Sequence, residues 1–333
     1  MSSSFPTSSP AIDVQARRPA IEISLSQVGV TSVEKVIRLR QDGSEQLFWA
    51  SFECVVDLGA NQKGAHMSRF EEVVNEAIGE VVLGEATFKA ETLAEHIAML
   101  VRERQGARRA EVTVRARFPE HKPAPISGIQ TQELYTLHGC AVSTKTGTRT
   151  LIGVTAQGMT ACPCAQELVT AAAHARLGEY GYDDEEIERI IDAVPVATHN
   201  QRGLGTLHIG ICEKCGVEVD AATLVEIVEQ SMSSEIYELM KRIDEAHVVE
   251  KAHRRPRFVE DCVREMIKGV LERYPQLCDS AFVSARQENL ETIHQHNVIA
   301  ERFGAIGEIR REIGTGVPSP AHMSRRAWLD ATP

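Results

Sequence analysis

Alternation and helical spacing divide this chain into elements before any single side chain matters. Apolar or alternating runs at 21–28, 34–40 and 46–57, broken at Asp42-Gly43, predict strands with a hairpin at the break. Ser68 can cap a helix through Glu80 that sets Phe70, Val73, Val74, Ala77 and Ile78 on one face, and a second helix follows over 91–104. Val112, Val114 and Ala116 share one side of a strand over 110–118. Pro119, Pro123 and Pro125 then mark a loop, and strands at 133–142 and 148–156 meet at Lys145-Thr146-Gly147. Helical spacing over 166–177 and 184–193, separated by Gly178 and Gly181, reads as an insertion of about 165–195. Strands at 205–212 and 217–219, helices at 223–241 and 257–273, and strands at 281–289 and 291–299 complete the pattern. The order ββααββ thus occurs twice, which predicts an α+β fold of two tandem modules, about 20–145 and 146–310, with an antiparallel sheet and helices on one face.

Composition narrows the class. Residues 1–19 are rich in Ser and Pro and read as a flexible segment, and 311–333 as a loose tail outside the catalytic body of 20–310. At 333 residues, 43% hydrophobic and 25% charged, the chain should bury a sizeable core. No apolar run approaches the ~20 residues needed to cross a bilayer, and no export signal opens the chain, so a cytoplasmic protein without a membrane partner is expected. The net charge of −11 argues against general nucleic-acid binding. A phosphorylated substrate would require a local basic pocket. Eight cysteines in such a chain read as reduced thiols or metal ligands rather than as a disulfide framework.

The chemistry concentrates in a few stretches. In GMTACPCAQ (158–166), Cys162 and Cys164 flank Pro163 where a strand gives way to a helix; Pro163 stiffens the turn, as suits a ligand or a nucleophile. The spacing matches no standard zinc template, so two ordinary cysteines beside a helix remain an alternative. ATHNQRG (197–203) gathers His199, two amides and Arg202, able to orient a polar ligand or simply to form a solvated turn. In ETIHQH (291–296), strand alternation would put His294 and His296 on one face, close enough to share a metal. KRIDE (241–245) and RFVED (257–261) add Glu245 and Glu260, the first leaving one helix and the second opening the next. KGAHMSRF (63–70) offers Lys63 and Arg69 at a helix start, where free amides favour anions. Cys212 and Cys215 form a Cys-x-x-Cys without a second pair downstream, which points to a peripheral or structural role.

Taken in order, KGAHMSRF, GMTACPCAQ, ATHNQRG, KRIDE, RFVED and ETIHQH resemble the type IB GTP cyclohydrolase family, which includes an archaeal branch that starts methanopterin synthesis. The resemblance runs from about residue 20 to 310. It implies the tunnelling fold, with active sites between subunits, and hence a homo-oligomer, here expected to be a tetramer. It also implies one divalent ion per site (zinc, manganese or iron) on Cys162, His199, Glu245 and His294, with Cys164 as a second functional thiol. Glu260 would accept hydrogen bonds from the guanine edge, while Arg202, Lys63 and Arg69 are candidates for the phosphates of GTP. The implied reaction opens guanine at carbon 8 and yields formate and 7,8-dihydroneopterin triphosphate, an early step toward folate-type pterins. About twenty-five residues between Cys164 and His199 exceed the compact bacterial form and look closer to the archaeal branch, whose product is 7,8-dihydroneopterin 2′,3′-cyclic phosphate. Two other classes stay open on the residues alone. One is a non-hydrolytic purine or pterin binder, and the other a zinc-stabilised interaction module using Cys162, Cys164, Cys212 and Cys215.

Overall fold

The computed structural model describes residues 13–41, 44–81, 89–212 and 215–331. Strands β1 (Leu25–Gln41) and β2 (Ser44–Leu58) pair antiparallel, and the Asp42-Gly43 turn lies outside the described residues. The two strands expected before that turn are one strand, interrupted by a register shift between Val30 and Val33, where Ser32 has a φ of 56°. Helices α1 (Met67–Val81) and α2 (Ala90–Gln105) follow, then β3 (Arg109–Pro123), β4 (Gln130–Thr144) and β5 (Gly147–Ala161). Val112, Val114 and Ala116 of β3 are buried in one core with Phe70, Val73 and Val74 of α1 and with Leu93, Ile97 and Val101 of α2. Gly139 lets α2 start directly on β4, because a Cβ there would lie 2.1 Å from the Ala90 carbonyl oxygen.

Next come helices α3 (Pro163–Glu179) and α4 (Asp184–Ala193), strand β6 (Asn200–Cys212), helix α5 (Ala221–Ser231) and the two-residue strand β7 (Ser234–Glu235). They are followed by α6 (Arg242–Arg254), α7 (Val259–Arg273), β8 (Phe282–Leu290), β9 (Val298–Ala305), α8 (Ile306–Thr315) and α9 (Arg325–Asp330). The sheet has nine strands in the order β1-β2-β3-β4-β5-β6-β8-β9, with β7 paired to β5 off this path.

This corrects the expected tunnelling fold of two tandem modules. One continuous antiparallel sheet runs through both halves, and the second half does not repeat ββααββ. Between β6 and β8 stand three helices and β7, because the helix expected over 223–241 stops at Ser231. Arg257 Nη1 donates to the carbonyls of Gln230 and Ser231 at that end, and buried Ser233 accepts the Ala161 N–H through its Oγ at 3.1 Å. The chain there is therefore drawn onto β5. Nor do all helices share one face. Trp328 and Leu329 of α9 pack with Cys140, Val142, Leu151 and Phe282, whereas Ala141 and Ile152 face the main core on the other side. The segment read as a loose tail thus seals the second face. Residues 15 and 17, within the segment read as flexible, accept hydrogen bonds from the Lys63 N–H at 3.0 and 2.8 Å.

Antiparallel pairing gives the sheet two rims. The first carries the end of β5, the start of β6, the β3–β4 turn and the loop between β8 and β9. The second carries the end of β2, the β4–β5 turn, the end of β6 and the start of β8.

Candidate active site

The first rim collects the chemistry. The last β5–β6 partners are Ala161 and Asn200, so Cys162 and His199 leave the sheet side by side. The Cys162 N–H donates to the His199 carbonyl at 3.1 Å, and Thr198 Oγ1 donates to the Cys162 carbonyl at 2.9 Å. Cys162 is the extended residue before α3 (φ −77°, ψ 119°), with Pro163 in the first turn, where a missing N–H costs nothing. Its side chain is half-buried and that of Cys164 is exposed. Gln166 Nε2 bridges the carbonyls of Val196 and His253, tying α3 to the approach of His199 and to α6.

His199 is held in a defined state. Buried Gln201 donates through Nε2 to Thr160 Oγ1 at 2.9 Å, so its Oε1 faces His199 Nδ1 at 3.0 Å as an acceptor. With Nδ1 turned toward Gln201, Nε2 is the ring nitrogen left for a ligand. Glu291 lies beside it, with Oε2 3.9 Å from His199 Nδ1 and a side chain only 6% exposed. That oxygen is buried without a hydrogen-bond partner among the described residues. Glu291 was not singled out in the sequence; its signal was the acid that opens ETIHQH, three residues before His294. Residues 291–297 form a loop rather than the expected strand. Within it the His294 ring stands edge-on to His199 at 6.5 Å between centroids and stacks on His296 at 5.2 Å.

The remaining candidates divide between the rims. Glu245 does not leave a helix; it lies exposed in the first turn of α6. The buried acid of KRIDE is its neighbour Asp244, which accepts from the N–H groups of Ile126, Ser127 and Lys241 and from Ser127 Oγ, pinning α6 to the β3–β4 turn on the first rim. Burial opposes its ionisation, but these hydrogen bonds outweigh burial and hold the carboxyl well below the usual carboxylate range. Glu260 is exposed in the first turn of α7, a helix whose approach is tied to the end of β5 by the Arg257 N–H, which donates to the Ala161 carbonyl at 2.9 Å. It borders a cavity of about 390 Å³ whose lining mixes Val263, Ile267 and Ile309 with the charged Arg264, Lys268 and Arg302. Arg202 is exposed on β6, three residues from His199. Lys63 and Arg69 lie after β2 at the second rim, where Arg69 Nη1 donates to the Arg104 carbonyl. Cys212 and Cys215 also lie at the second rim, so the module of Cys162, Cys164, Cys212 and Cys215 cannot form within one chain.

One thiol and two imidazoles fit a zinc-, manganese- or iron-class ion, and the buried unpartnered Glu291 carboxylate adds negative charge to the same spot. Glu245 is not drawn into that group. Among the described residues, three metal-capable donors come within 4.8 Å of one another only at Cys212, Cys215 and Cys278. Cys215 and Cys278 are joined as a disulfide, one pair rather than a framework.

An antiparallel α+β body with a thiol–imidazole–carboxylate group on one rim has the donor set of a metal-dependent hydrolase. The chain belongs to the type I GTP cyclohydrolase folE2 family, whose model matches residues 12–300. Among curated proteins, GTP cyclohydrolase MptA of Methanococcus aeolicus is 41% identical over 90% of this chain and 99% of its own length. MptA of Methanocaldococcus jannaschii is 40% identical over 90% of this chain and 97% of its own. Among solved structures, the uricase from Arthrobacter globiformis aligns with a TM-score of 0.48 at 8% identity, covering 84% of this chain and 92% of that one. The family is one of hydrolases acting on GTP, which sets aside the non-hydrolytic reading. Among the described residues no helix is long and apolar enough to cross a membrane.

Proposed function

We propose that this chain is a divalent-metal-dependent GTP cyclohydrolase of the cytoplasm, converting GTP and water to 7,8-dihydroneopterin triphosphate and formate. The observation that supports the reading is that Cys162 and His199 leave paired strand ends on one rim, with the His294 ring 6.5 Å from that of His199 and buried Glu291 beside it. Cys162, His199 and His294 would hold the ion, with Glu245 as a fourth ligand once α6 or substrate brings it in. When bound, the ion supplies Lewis acidity and lowers the pKa of water at the site. The chain's own residues do the rest. Gln201 orients the His199 ring, and Glu291 opposes the positive charge gathered there. Cys164, exposed one residue past Pro163, is the second functional thiol of this reading. Glu260 accepts from the guanine ring N–H and amino group; adenine, lacking that donor pair, would leave the acid unsatisfied.

Arg202 is the phosphate candidate on this rim. Lys63 and Arg69 sit on the other rim, so they would reach the triphosphate only from a second copy, in keeping with a homotetramer that shares its sites. A second product is favoured by the 40–41% identity to the MptA proteins: the cyclic phosphate, formed when a sugar hydroxyl attacks the α-phosphorus and diphosphate leaves. Incubating purified protein with GTP and added zinc, manganese or iron, and following formate, the fluorescent oxidised pterin and diphosphate together, tests both readings. Formate without diphosphate supports the triphosphate, and equimolar diphosphate supports the cyclic product. No formate with any metal would refute the activity.

A further inference from the structure

We propose that Cys212, Cys215 and Cys278 form a second metal site, a structural one that holds a zinc-class ion on three thiolates at the rim opposite Cys162. Cys212 ends β6, Cys215 follows three residues later, and Cys278 arrives from the connection between α7 and β8, 63 residues further on. Folding alone brings the three sulfurs together: their donor atoms lie within 4.8 Å of one another, with Cys212 Sγ 3.7 Å from Cys278 Sγ. Three further features suit an ion. Gly216, with φ at +58°, makes the sharp left-handed turn directly after the second cysteine, a conformation that other residues adopt at a cost. The Cys278 N–H donates to Cys215 Sγ at 3.1 Å, so a backbone donor already orients the second sulfur. Ser280 Oγ stands 3.5 Å from Cys212 Sγ and 3.3 Å from Cys278 Sγ, an oxygen available for the fourth position.

A disulfide uses only two of three adjacent sulfurs. In the Cys215–Cys278 bonded form, Cys212 is left as a thiol against the pair, whereas a metal satisfies all three. Three sulfurs exclude magnesium and calcium, which take oxygen ligands, and select zinc or another thiophilic ion. Loading needs the bonded pair reduced. A dithiol supplies two electrons and two protons and leaves as its own disulfide, after which the ion displaces thiol protons. The site cannot take part in the GTP chemistry directly. His199 precedes β6 and Cys212 ends it, so the length of that strand, roughly 40 Å, separates the two centres. Its effect is to clamp the end of β6 to the entrance of β8.

The test uses the full chain as Cys162→Ala/Cys164→Ala, which removes the two solvent-accessible thiols of the first rim and leaves only buried Cys262 on that side. The protein is reduced under anaerobic conditions and titrated with cobalt(II) alone, then with zinc. We expect one cobalt per chain with sulfur-to-cobalt charge-transfer absorption, displaced by one equivalent of zinc, and three thiols that zinc shields from alkylation until a chelator is added. Adding Cys278→Ser should weaken binding at least roughly tenfold and reduce the charge-transfer band. Absence of the band in the double variant, an unchanged band with Cys278→Ser, or equal alkylation with and without zinc would each overturn the site. If Cys278→Ser does not fold, the band and the alkylation count in the double variant decide alone. GTP turnover is not read, so failure here is distinct from failure of the cyclohydrolase reading.

Discussion

At the scale of residues, the site depends on how His199 is held. Removing Cys162, His199 or His294 by alanine should lower bound metal or abolish turnover while the fold persists, because the large core rather than the ion supplies most stability. Normal metal content and full activity in both His199→Ala and His294→Ala would show the ligands misassigned. Cys164→Ala and Glu291→Gln are expected to keep the ion and lose at least roughly tenfold in turnover, since both act beside the ligands. Arg202→Ala should raise KM for GTP more than for guanosine-like analogues, and equal effects on both would remove it from phosphate binding. The motifs were legible because each compresses several reactive side chains into a few positions. Glu291 was harder to see: its importance lies in burial and a missing partner, which no linear pattern records. Lys63 and Arg69 were placed by motif alone, and only the strand directions put them on the far rim.

At the scale of elements, alternation and helical spacing found the strands and helices of the first half, apart from joining its first two strands into β1 and carrying β3 through Pro119 to Pro123, prolines that the sequence reads as a loop but that pair with β4. They failed around α6. That helix buries only Asp244, Val248, Ala252 and His253, a face too narrow and too polar to stand out. Its anchor is electrostatic instead. Asp244→Asn should therefore lower the thermal midpoint and loosen the first rim. Because the folded carboxyl titrates below its unfolded range, its contribution is fully present above about pH 4 and is lost as pH falls toward the folded value. Wild-type and variant melting curves should thus differ by a constant amount from neutral pH to about 5 and converge in stronger acid. A gap that widened on acidification would contradict this anchoring role.

At the scale of the whole molecule, exposed Leu168 and Val169 on α3 and Trp49 on β2, together with phosphate candidates on the wrong rim for a one-chain site, favour a shared-site assembly. Light scattering at assay concentration should give a tetramer, and an active monomer would end the shared-site picture. The C-terminal helix has a consequence of a different kind. Trp328 is 1% exposed, its indole N–H donates to the Ser280 carbonyl at 2.8 Å, and the Arg149 guanidinium lies 4.7 Å over its ring. Trp328→Ala should cost about 3–5 kcal/mol, read as a lower denaturant midpoint. Yet α9, which carries it, follows every strand of the sheet in chain order among the described residues. During synthesis, the patch around Cys140, Val142, Leu151 and Phe282 is made before α9 and stays uncovered until that helix has emerged and docked. A chain without α9 is thus open to aggregation, and chains cut short near residue 310 should collect in the insoluble fraction even though every residue of the first rim is already in place.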